Sequence, residues 1–146
     1  MKIKRVAFSS KEYDLLLSFR FINLRKPLSL TWTQADLSRE GEQIHIAYFN
    51  QNNIIGSCVL KKINTSTIRL RQMAIDKNYQ RIGLGTKLLD YAEKYAKKNN
   101  YKEIVIIARI SAFDFYQING YEPLGEELID VTVRSIKMKK ILLTNE

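Results

Sequence analysis

The chain has 146 residues, of which 45% are hydrophobic and 27% charged, a length and composition typical of one globular domain and not of a disordered or low-complexity protein. Its only cysteine, Cys58, and its only histidine, His45, exclude an internal disulfide and a Cys/His metal cage, and no apolar run approaches the roughly 20 residues that cross a bilayer. The net charge of +9 attracts polyanions without choosing among nucleic acid, an anionic cofactor and an acidic protein. We therefore expect a soluble cytoplasmic protein, one domain over residues 1–146, without a metal.

The first half of the sequence predicts one helix followed by a three-stranded meander. A short strand over residues 2–8 precedes Ser9–Glu12, whose S-x-x-E spacing is that of a capping box, so a helix is expected from there to about Ile22. Pro27 removes a donor and disfavours helix in the residue before it, and a loop is expected to about Gln43. Three β-prone runs follow, the first two joined by an asparagine-rich turn, at residues 43–49, 54–60 and 67–75.

The second half predicts a parallel crossover. From Gly83 to Ala96 apolar residues recur at spacings of three and four, as on one face of a helix, and residues 103–108 form the continuous apolar run of a strand covered on both faces. A strand, a helix and a strand in this order predict a right-handed parallel connection within a mixed α/β sheet. The remaining predicted elements are a short helix over 111–118, a left-handed glycine cap at Gly120, and strands near 121–124 and 131–142.

Two glycines, Gly83 and Gly85, fall where the second helix begins. The first turn of a helix exposes N–H groups at the positive end of its dipole, and glycines let an anion approach that backbone, so this segment predicts a pyrophosphate site. It lacks the G-x-x-x-x-G-K-[ST] spacing of a P-loop, and a Rossmann fingerprint would need a third glycine at Leu88. The spacing that remains is Gln80-x-x-Gly83-x-Gly85. The alternative interpretation is an ordinary tight turn from strand to helix.

Two longer segments resemble the motifs of one family. The runs LRQMAID (70–76) and YQRIGLGTKLL (79–89) resemble motif A of the GNAT (Gcn5-related N-acetyltransferase) superfamily, and ARISAFDFYQINGY (108–121) resembles its motif B. The likeness extends over about residues 41–142 and is greatest to a branch of small bacterial members. It implies a central mixed, mainly antiparallel sheet of about six to seven strands flanked by helices, with the parallel crossover at the cofactor site. It also implies that the whole chain is an N-acetyltransferase domain.

The resemblance implies acetyl-CoA as the acyl donor and assigns residues to it. The strand backbone at Met73, Ala74 and Ile75 would pair with the pantetheine arm of the cofactor. Tyr116 would be the general acid that protonates the leaving thiolate, since a phenol with a pKa of about 10 is a proton donor at neutral pH; a buried tyrosine that only packs its ring is the alternative. The pyrophosphate would be bound by Gln80, Arg81, Ile82, Gly83, Leu84, Gly85 and Thr86, and the same groove would be lined by Arg109, Ala112 and Phe115.

The implied reaction is direct attack of a primary amine on the thioester. An amine must lose a proton before it attacks, and the strand over 67–75 offers no carboxylate, so the candidates for the general base are His45, Glu126, Glu127 or a relay of water. The acceptor would be a small polyamine-like or aminoglycoside-like amine, a protein N-terminus or a lysine. An acidic patch at the mouth of the acceptor site could come from Asp36, Glu40, Glu126 and Glu127.

Two other functions stay open at the level of sequence. The absence of a strand carboxylate is compatible with a non-catalytic module that binds or senses coenzyme A. The charge of +9 is compatible with a nucleic-acid-associated protein, whose affinity would fall steeply with salt, but no nucleic-acid motif supports that partner. No membrane partner is expected, and a homodimer is an expectation from the family alone.

Overall fold

A computed structural model describes residues 1–30 and 37–143, and Asp36, one of the predicted acidic residues, lies outside this range. Seven strands form one sheet in the order β1-β2-β3-β4-β5-β7-β6. The strands are β1 (Lys2–Val6), β2 (Ile44–Asn50), β3 (Asn53–Lys62), β4 (Thr67–Ile75), β5 (Glu103–Arg109), β6 (Glu122–Asp130) and β7 (Val133–Ile141). The α-helices that lie wholly within the described ranges are α1 (Lys11–Arg20), α2 (Leu84–Lys98) and α3 (Phe113–Ile118).

The sheet is mixed and mainly antiparallel, as the family resemblance implies. β4 runs parallel to β5, with Thr67–Leu70 opposite Glu103–Ile106, and α2 lies between these two strands in the chain. The pairs β1–β2, β2–β3, β5–β7 and β6–β7 are antiparallel. The parallel crossover and the seven strands confirm the predicted α/β class. No helix in the described ranges is long and apolar enough to span a membrane.

The chain divides into two compact units. The first contains residues 1–61 and 72–92, and its core includes a cluster from β1, α1 and β2: Val6, Tyr13, Leu16, Ala47 and Phe49. The second contains residues 62–71 and those from 93 onward, and its buried residues include Ile68, Leu70, Ile104, Ile106, Tyr121 and Met138. That residues 1–146 work as a single domain stays a prediction.

The start and end of α1 differ from the prediction. The N-cap is Ser10, whose hydroxyl accepts from the backbone N–H of Tyr13 at 3.1 Å, so the cap falls one residue after the expected Ser9. Ser9 instead has a φ of +61°. The helix ends at Arg20, two residues before the expected Ile22, and continues as a π-helical turn over Phe21–Arg25.

The C-terminal strands also differ from the prediction. β6 extends to Asp130, six residues beyond the expected end at Leu124. The added residues are rich in acidic side chains, which have low strand propensity, but pairing with β7 keeps them in the strand. Its register shifts between Leu124 and Leu128. Val131 and Thr132, expected to begin the last strand, instead form the hairpin turn, with φ values of +46° and +65°.

A buried ion pair lies in the first unit. The guanidinium of Arg20 donates to a carboxylate oxygen of Glu40 at 2.6 Å, and both side chains are completely buried. The phenol of Tyr13 donates to the same oxygen at 3.1 Å. Burial opposes ionisation of Glu40, but the hydrogen bond and charge of Arg20 outweigh it and hold the pKa of this carboxyl below its ordinary value of 4.5.

We expect Glu40→Gln to lower the free energy of unfolding at pH 7 by about 3 kcal/mol, because it leaves a buried guanidinium without its carboxylate. Because the pKa of Glu40 is lower in the folded than in the unfolded state, its ionised carboxylate stabilises the folded protein above about pH 4.5, and this stabilisation is lost as pH falls through the folded-state pKa. The difference in unfolding free energy between wild type and Glu40→Gln should therefore shrink below about pH 4.5. Urea unfolding across this pH range measures both effects. Exposed Glu42 provides the control Glu42→Gln, and equal losses for the two variants would contradict the assignment.

Candidate functional site

A local distortion of β4 precedes the residues predicted to pair with pantetheine. Gln72 has a φ of +53°, the left-handed conformation found in bulged strands, and its carbonyl accepts from the hydroxyl of Ser57 at 2.9 Å. The Ser57 side chain is completely buried in β3. Sequence analysis missed Ser57, although a small polar residue inside the apolar run 54–60 was a signal for it. The parallel ladder with β5 ends at Leu70, and the distortion lies just beyond that point.

The end of β4 lies against a glycine of β3. A Cβ added at Gly56 would be 2.8 Å from Cδ1 of Ile75 and 3.2 Å from Cβ of Tyr48, so a larger residue there would displace the Ile75 side chain. The N–H of Asp76 donates to the carbonyl of Ile55 at 2.8 Å. The predicted pantetheine-binding residues are half-buried and lie next to this contact or within it: Met73, Ala74 and Ile75.

The turn that follows β4 is fixed by its own side chains. The Asp76 carboxylate accepts from the N–H of Asn78 at 2.8 Å, and the side-chain amide of Gln80 donates to the carbonyl of Ile75 at 2.9 Å. The hydroxyl of Tyr79 accepts from the side chain of Asn50 at 3.1 Å. These hydrogen bonds attach residues 76–80 to the end of β4 and to the β2–β3 hairpin. They hold in place the segment from which the next helix starts.

The start of α2 is open to solvent. Arg81 and Gly83 have φ values of +65° and +86°, and a Cβ added at Gly83 would meet nothing within 4 Å. The first hydrogen bond of the helix runs from the N–H of Lys87 to the carbonyl of Gly83, at 3.2 Å. The N–H groups of the residues before Lys87 therefore have no partner within the helix, as is usual in the first turn of an α-helix. Ile82 is 63% exposed, whereas Leu84 is buried. An anion fits this geometry, because the N–H groups of the first turn and the positive end of the helix dipole both attract negative charge. The predicted pyrophosphate-binding residues that the structure brings together here are Gln80, Arg81, Ile82, Gly83, Leu84, Gly85 and Thr86.

The residues of the second motif lie together in the second unit. Arg109 ends β5, Ala112 precedes α3, and both side chains are half-buried, as is that of Phe115. Tyr116 is 4% exposed, and its ring meets the rings of Phe115 and Tyr121 edge to face, with centroid distances of 5.0 and 5.6 Å.

The chain leaves α3 through a Schellman motif. The N–H of Tyr121 donates to the carbonyl of Tyr116 at 2.9 Å, and the N–H of Gly120 donates to that of Gln117 at 3.0 Å. Gly120 has a φ of +94°, which confirms the predicted left-handed cap.

The candidate bases and acidic residues lie in different environments. His45 is 2% exposed, and its Nε2 lies 2.6 Å from the carbonyl oxygen of Glu40, which can only accept, so this nitrogen carries a proton. Glu126 and Glu127 are exposed on β6, and Glu127 pairs with Arg134 at 2.7 Å. The inclusion of Glu40 in an exposed acidic patch is wrong, because its buried carboxylate is neutralised by Arg20.

Cys58 is completely buried, and burial raises the pKa of its thiol. These are the properties of a small buried hydrophobic residue and not of a nucleophile.

A second group of polar residues was not predicted. Glu93 accepts from the phenol of Tyr121 at 3.0 Å and from the ammonium of Lys140 at 2.8 Å. The position of Glu93 could have indicated its burial, because it lies on the apolar face of α2, four residues after Leu89 and three before Ala96. Its cation is 47 residues away in the chain, and no local pattern reveals it.

A family model described as an acetyltransferase (GNAT) domain matches residues 27–142. Probable N-acetyltransferase 14 of Xenopus tropicalis is 28% identical over 107 aligned positions, which cover 66% of this chain and 52% of that protein. A Bacillus subtilis (strain 168) protein named as an acetyltransferase is 24% identical over 148 aligned positions, which cover 96% of each. The chain thus spans about half the length of the first relative and nearly all of the second.

The fold is also similar to that of a solved structure. Aminoglycoside 6'-N-acetyltransferase complexed with coenzyme A superimposes with a TM-score of 0.81 at 17% identity, covering 100% of this chain and 99% of that one. At this identity the likeness shows the fold alone, and it agrees with the predicted sheet.

We expect Ser57→Ala to lower the free energy of unfolding by about 1 kcal/mol, because the partly buried carbonyl of Gln72 loses its donor. Urea unfolding measures the effect. Ser66→Ala, which removes an exposed hydrogen bond to Asn64, is the matched control and should change stability by less than about 0.5 kcal/mol. A loss no larger than that of the control would show that Ser57 does not support the distortion of β4.

Proposed function

The chain belongs to the GNAT acetyltransferase family, and on this premise we propose that it is an acetyl-CoA-dependent N-acetyltransferase whose residues 1–146 act as one domain. The observation that carries the proposal is the open start of α2. Its first turn combines N–H groups that have no intrahelical partner, the positive end of a 15-residue helix and a glycine with open space above the backbone. These are the requirements for binding the pyrophosphate of coenzyme A through the backbone.

Each part of the donor has a proposed binding segment. Arg81 adds a cation beside the N–H groups that would hold the pyrophosphate. The backbone of β4 at Met73–Ile75, after the distortion at Gln72, would pair with the amide groups of the pantetheine arm. Arg109, Ala112 and Phe115 would contact the donor from the second motif. Support comes from the geometry within each unit. In the first unit, hydrogen bonds of the Ser57, Asp76 and Gln80 side chains to the backbone hold the end of β4 and the turn after it. In the second unit, backbone hydrogen bonds hold the segment after Tyr116.

The reaction we propose is a direct transfer. The amine nitrogen forms a bond to the acetyl carbon, the carbon–sulfur bond breaks, and the hydroxyl of Tyr116 gives its proton to the departing sulfur, so that free coenzyme A leaves as a thiol. The attacking nitrogen loses its protons to a base. The buried hydrogen bond of His45 supports a structural role for that ring, which leaves Glu126, Glu127 or a water relay. The acceptor is a primary amine of a small molecule or a protein.

The cofactor assignment is tested by isothermal titration of acetyl-CoA. We expect wild type to bind with a dissociation constant on the order of micromolar, and Gly83→Glu to bind at least about tenfold more weakly, because it places a carboxylate where the pyrophosphate would lie. Gly125→Glu is a matched control, since Gly125 also has a positive φ, +75°, and open space around an added Cβ. Equal affinity of the two variants would contradict the assignment.

The role of Tyr116 is tested by Tyr116→Phe. A panel of polyamines, aminoglycosides and peptides is screened for acetyl-CoA-dependent thiol release, and the best amine is used for kinetics. We expect kcat to fall about 100-fold, because the general acid is lost, while the affinity for acetyl-CoA changes less than about twofold. Tyr101→Phe, at a half-buried tyrosine outside both motifs, should keep wild-type kcat. An unchanged kcat in Tyr116→Phe would remove this residue from the mechanism.

A further inference from the structure

The carboxylate of Glu93 and the ammonium group of Lys140 form an ion pair next to the C-terminal end of α3. The Glu93 side chain is 9% exposed and that of Lys140 29%, and their charged atoms are 2.8 Å apart. Glu93 belongs to α2 and Lys140 to β7. Neither residue belongs to the GNAT motifs quoted above, and neither has a role in the proposed transfer reaction.

Both residues bind the segment that follows Tyr116. The Lys140 ammonium donates to the carbonyl of Asn119 at 3.0 Å, at the C-terminal cap of α3. Glu93 uses its other carboxylate oxygen to accept from the phenol of Tyr121 at 3.0 Å. The lysine side chain also covers the turn, because a Cβ added at Gly120 would lie 3.3 Å from its Cε. The pair thus binds residues 119 and 121 on either side of the left-handed glycine.

The same segment determines where the Tyr116 ring lies. The carbonyl of Tyr116 accepts the closing hydrogen bond of the Schellman motif from Tyr121, whose ring meets that of Tyr116 edge to face at 71°. A shift of Tyr121 or of the Asn119 carbonyl therefore moves both the backbone and the ring of Tyr116. A displacement of about 1 Å at a reacting group can cost up to 100-fold in rate.

We propose that Lys140, acting through Glu93 and Tyr121, is a positioning residue for the Tyr116 hydroxyl. The inference rests on the proposed function for its kinetic consequence, but its structural part stands without it. Loss of the ammonium leaves the Glu93 carboxylate buried without its cation, and that carboxylate then draws in water or turns away from Tyr121. The tyrosine pair loses its fixed arrangement, while the start of α2 keeps its own hydrogen bonds.

The structural part is tested by NMR of protein labelled with [ζ-13C]tyrosine, in which Tyr116→Phe identifies the Tyr116 signal among eight. We expect Lys140→Met to shift or broaden the signals of Tyr116 and Tyr121, and Lys140→Arg to restore them. Lys137→Met, at an exposed lysine of the same strand, is the matched control and should leave both unchanged. Unchanged Tyr116 and Tyr121 signals in folded Lys140→Met would overturn the proposal, whatever the protein catalyses.

The kinetic part is tested by a double-mutant cycle with the best amine of the screen. We expect Lys140→Met to lower kcat about tenfold with the KM for acetyl-CoA within about twofold, and to cause no further loss in a Tyr116→Phe background. A tenfold loss in that background as well would show a general structural effect and overturn the positioning role. If Lys140→Met does not fold, Tyr121→Phe, which keeps the ring and removes only the hydrogen bond to Glu93, is used in the same cycle.

The two proposals fail in different ways. If NMR shows that Lys140→Met moves Tyr116 but Tyr116→Phe itself keeps full kcat, the general-acid role is wrong and the structural inference holds. If Tyr116→Phe loses activity and Lys140→Met changes neither the signals nor kcat, the positioning role is wrong and the proposed function holds.

Discussion

The turn between β4 and α2 has to place two residues at positive φ and still begin a helix with its N–H groups facing solvent. Arg81 and Gly83 supply the left-handed conformations, and the side chains of Asp76 and Gln80 hold the preceding loop. The buried hydroxyl of Ser57 supports the distorted strand that leads into it. These contacts within the first unit organise the open backbone in advance, so that an anion bound there, as we propose, would not have to order it.

Two buried carboxylates illustrate one physical rule in different parts of the chain. Glu40 meets Arg20 where both are fully buried, and Glu93 meets Lys140 at a slightly more exposed place. Each carboxylate also accepts a tyrosine hydroxyl, which satisfies a further lone pair. Burying a carboxylate is costly unless it is both paired and hydrogen-bonded, so each pair fixes the elements that carry it. In the second unit the element fixed is the segment of Tyr116.

Periodicity and turn chemistry predict most of the fold. The alternation in the strands, the helical spacing after Gly83 and the glycine cap at Gly120 are local signals, and the structure contains each element they indicate. The errors occur where two local signals compete or tertiary contacts decide. Ser9 and Ser10 both suit an N-cap, and only the observed hydrogen bond selects Ser10. The acidic stretch of β6 after Leu124 has low strand propensity, and its pairing with β7 overrides this.

The candidate site divides in the same way. The pyrophosphate-binding backbone at the start of α2 and the role of Tyr116 are predictions from contiguous motifs, whose residues are adjacent in the sequence. The supporting residues are not visible in sequence, since Glu93 and Lys140 are 47 residues apart and Ser57 and Gln72 are 15 apart. Glu40 was misassigned to an exposed patch for the same reason, because its charge is visible in the sequence and its burial against Arg20 is not.

The most direct measurement is a crystal structure of the full chain with acetyl-CoA bound. We expect the pyrophosphate oxygens to lie within hydrogen-bond distance, about 3 Å, of backbone N–H groups in residues 81–86. We expect the Tyr116 hydroxyl to reach the thioester sulfur directly or through one water. A pyrophosphate bound elsewhere, or a Tyr116 hydroxyl beyond that reach in the bound complex, would contradict the proposed mechanism.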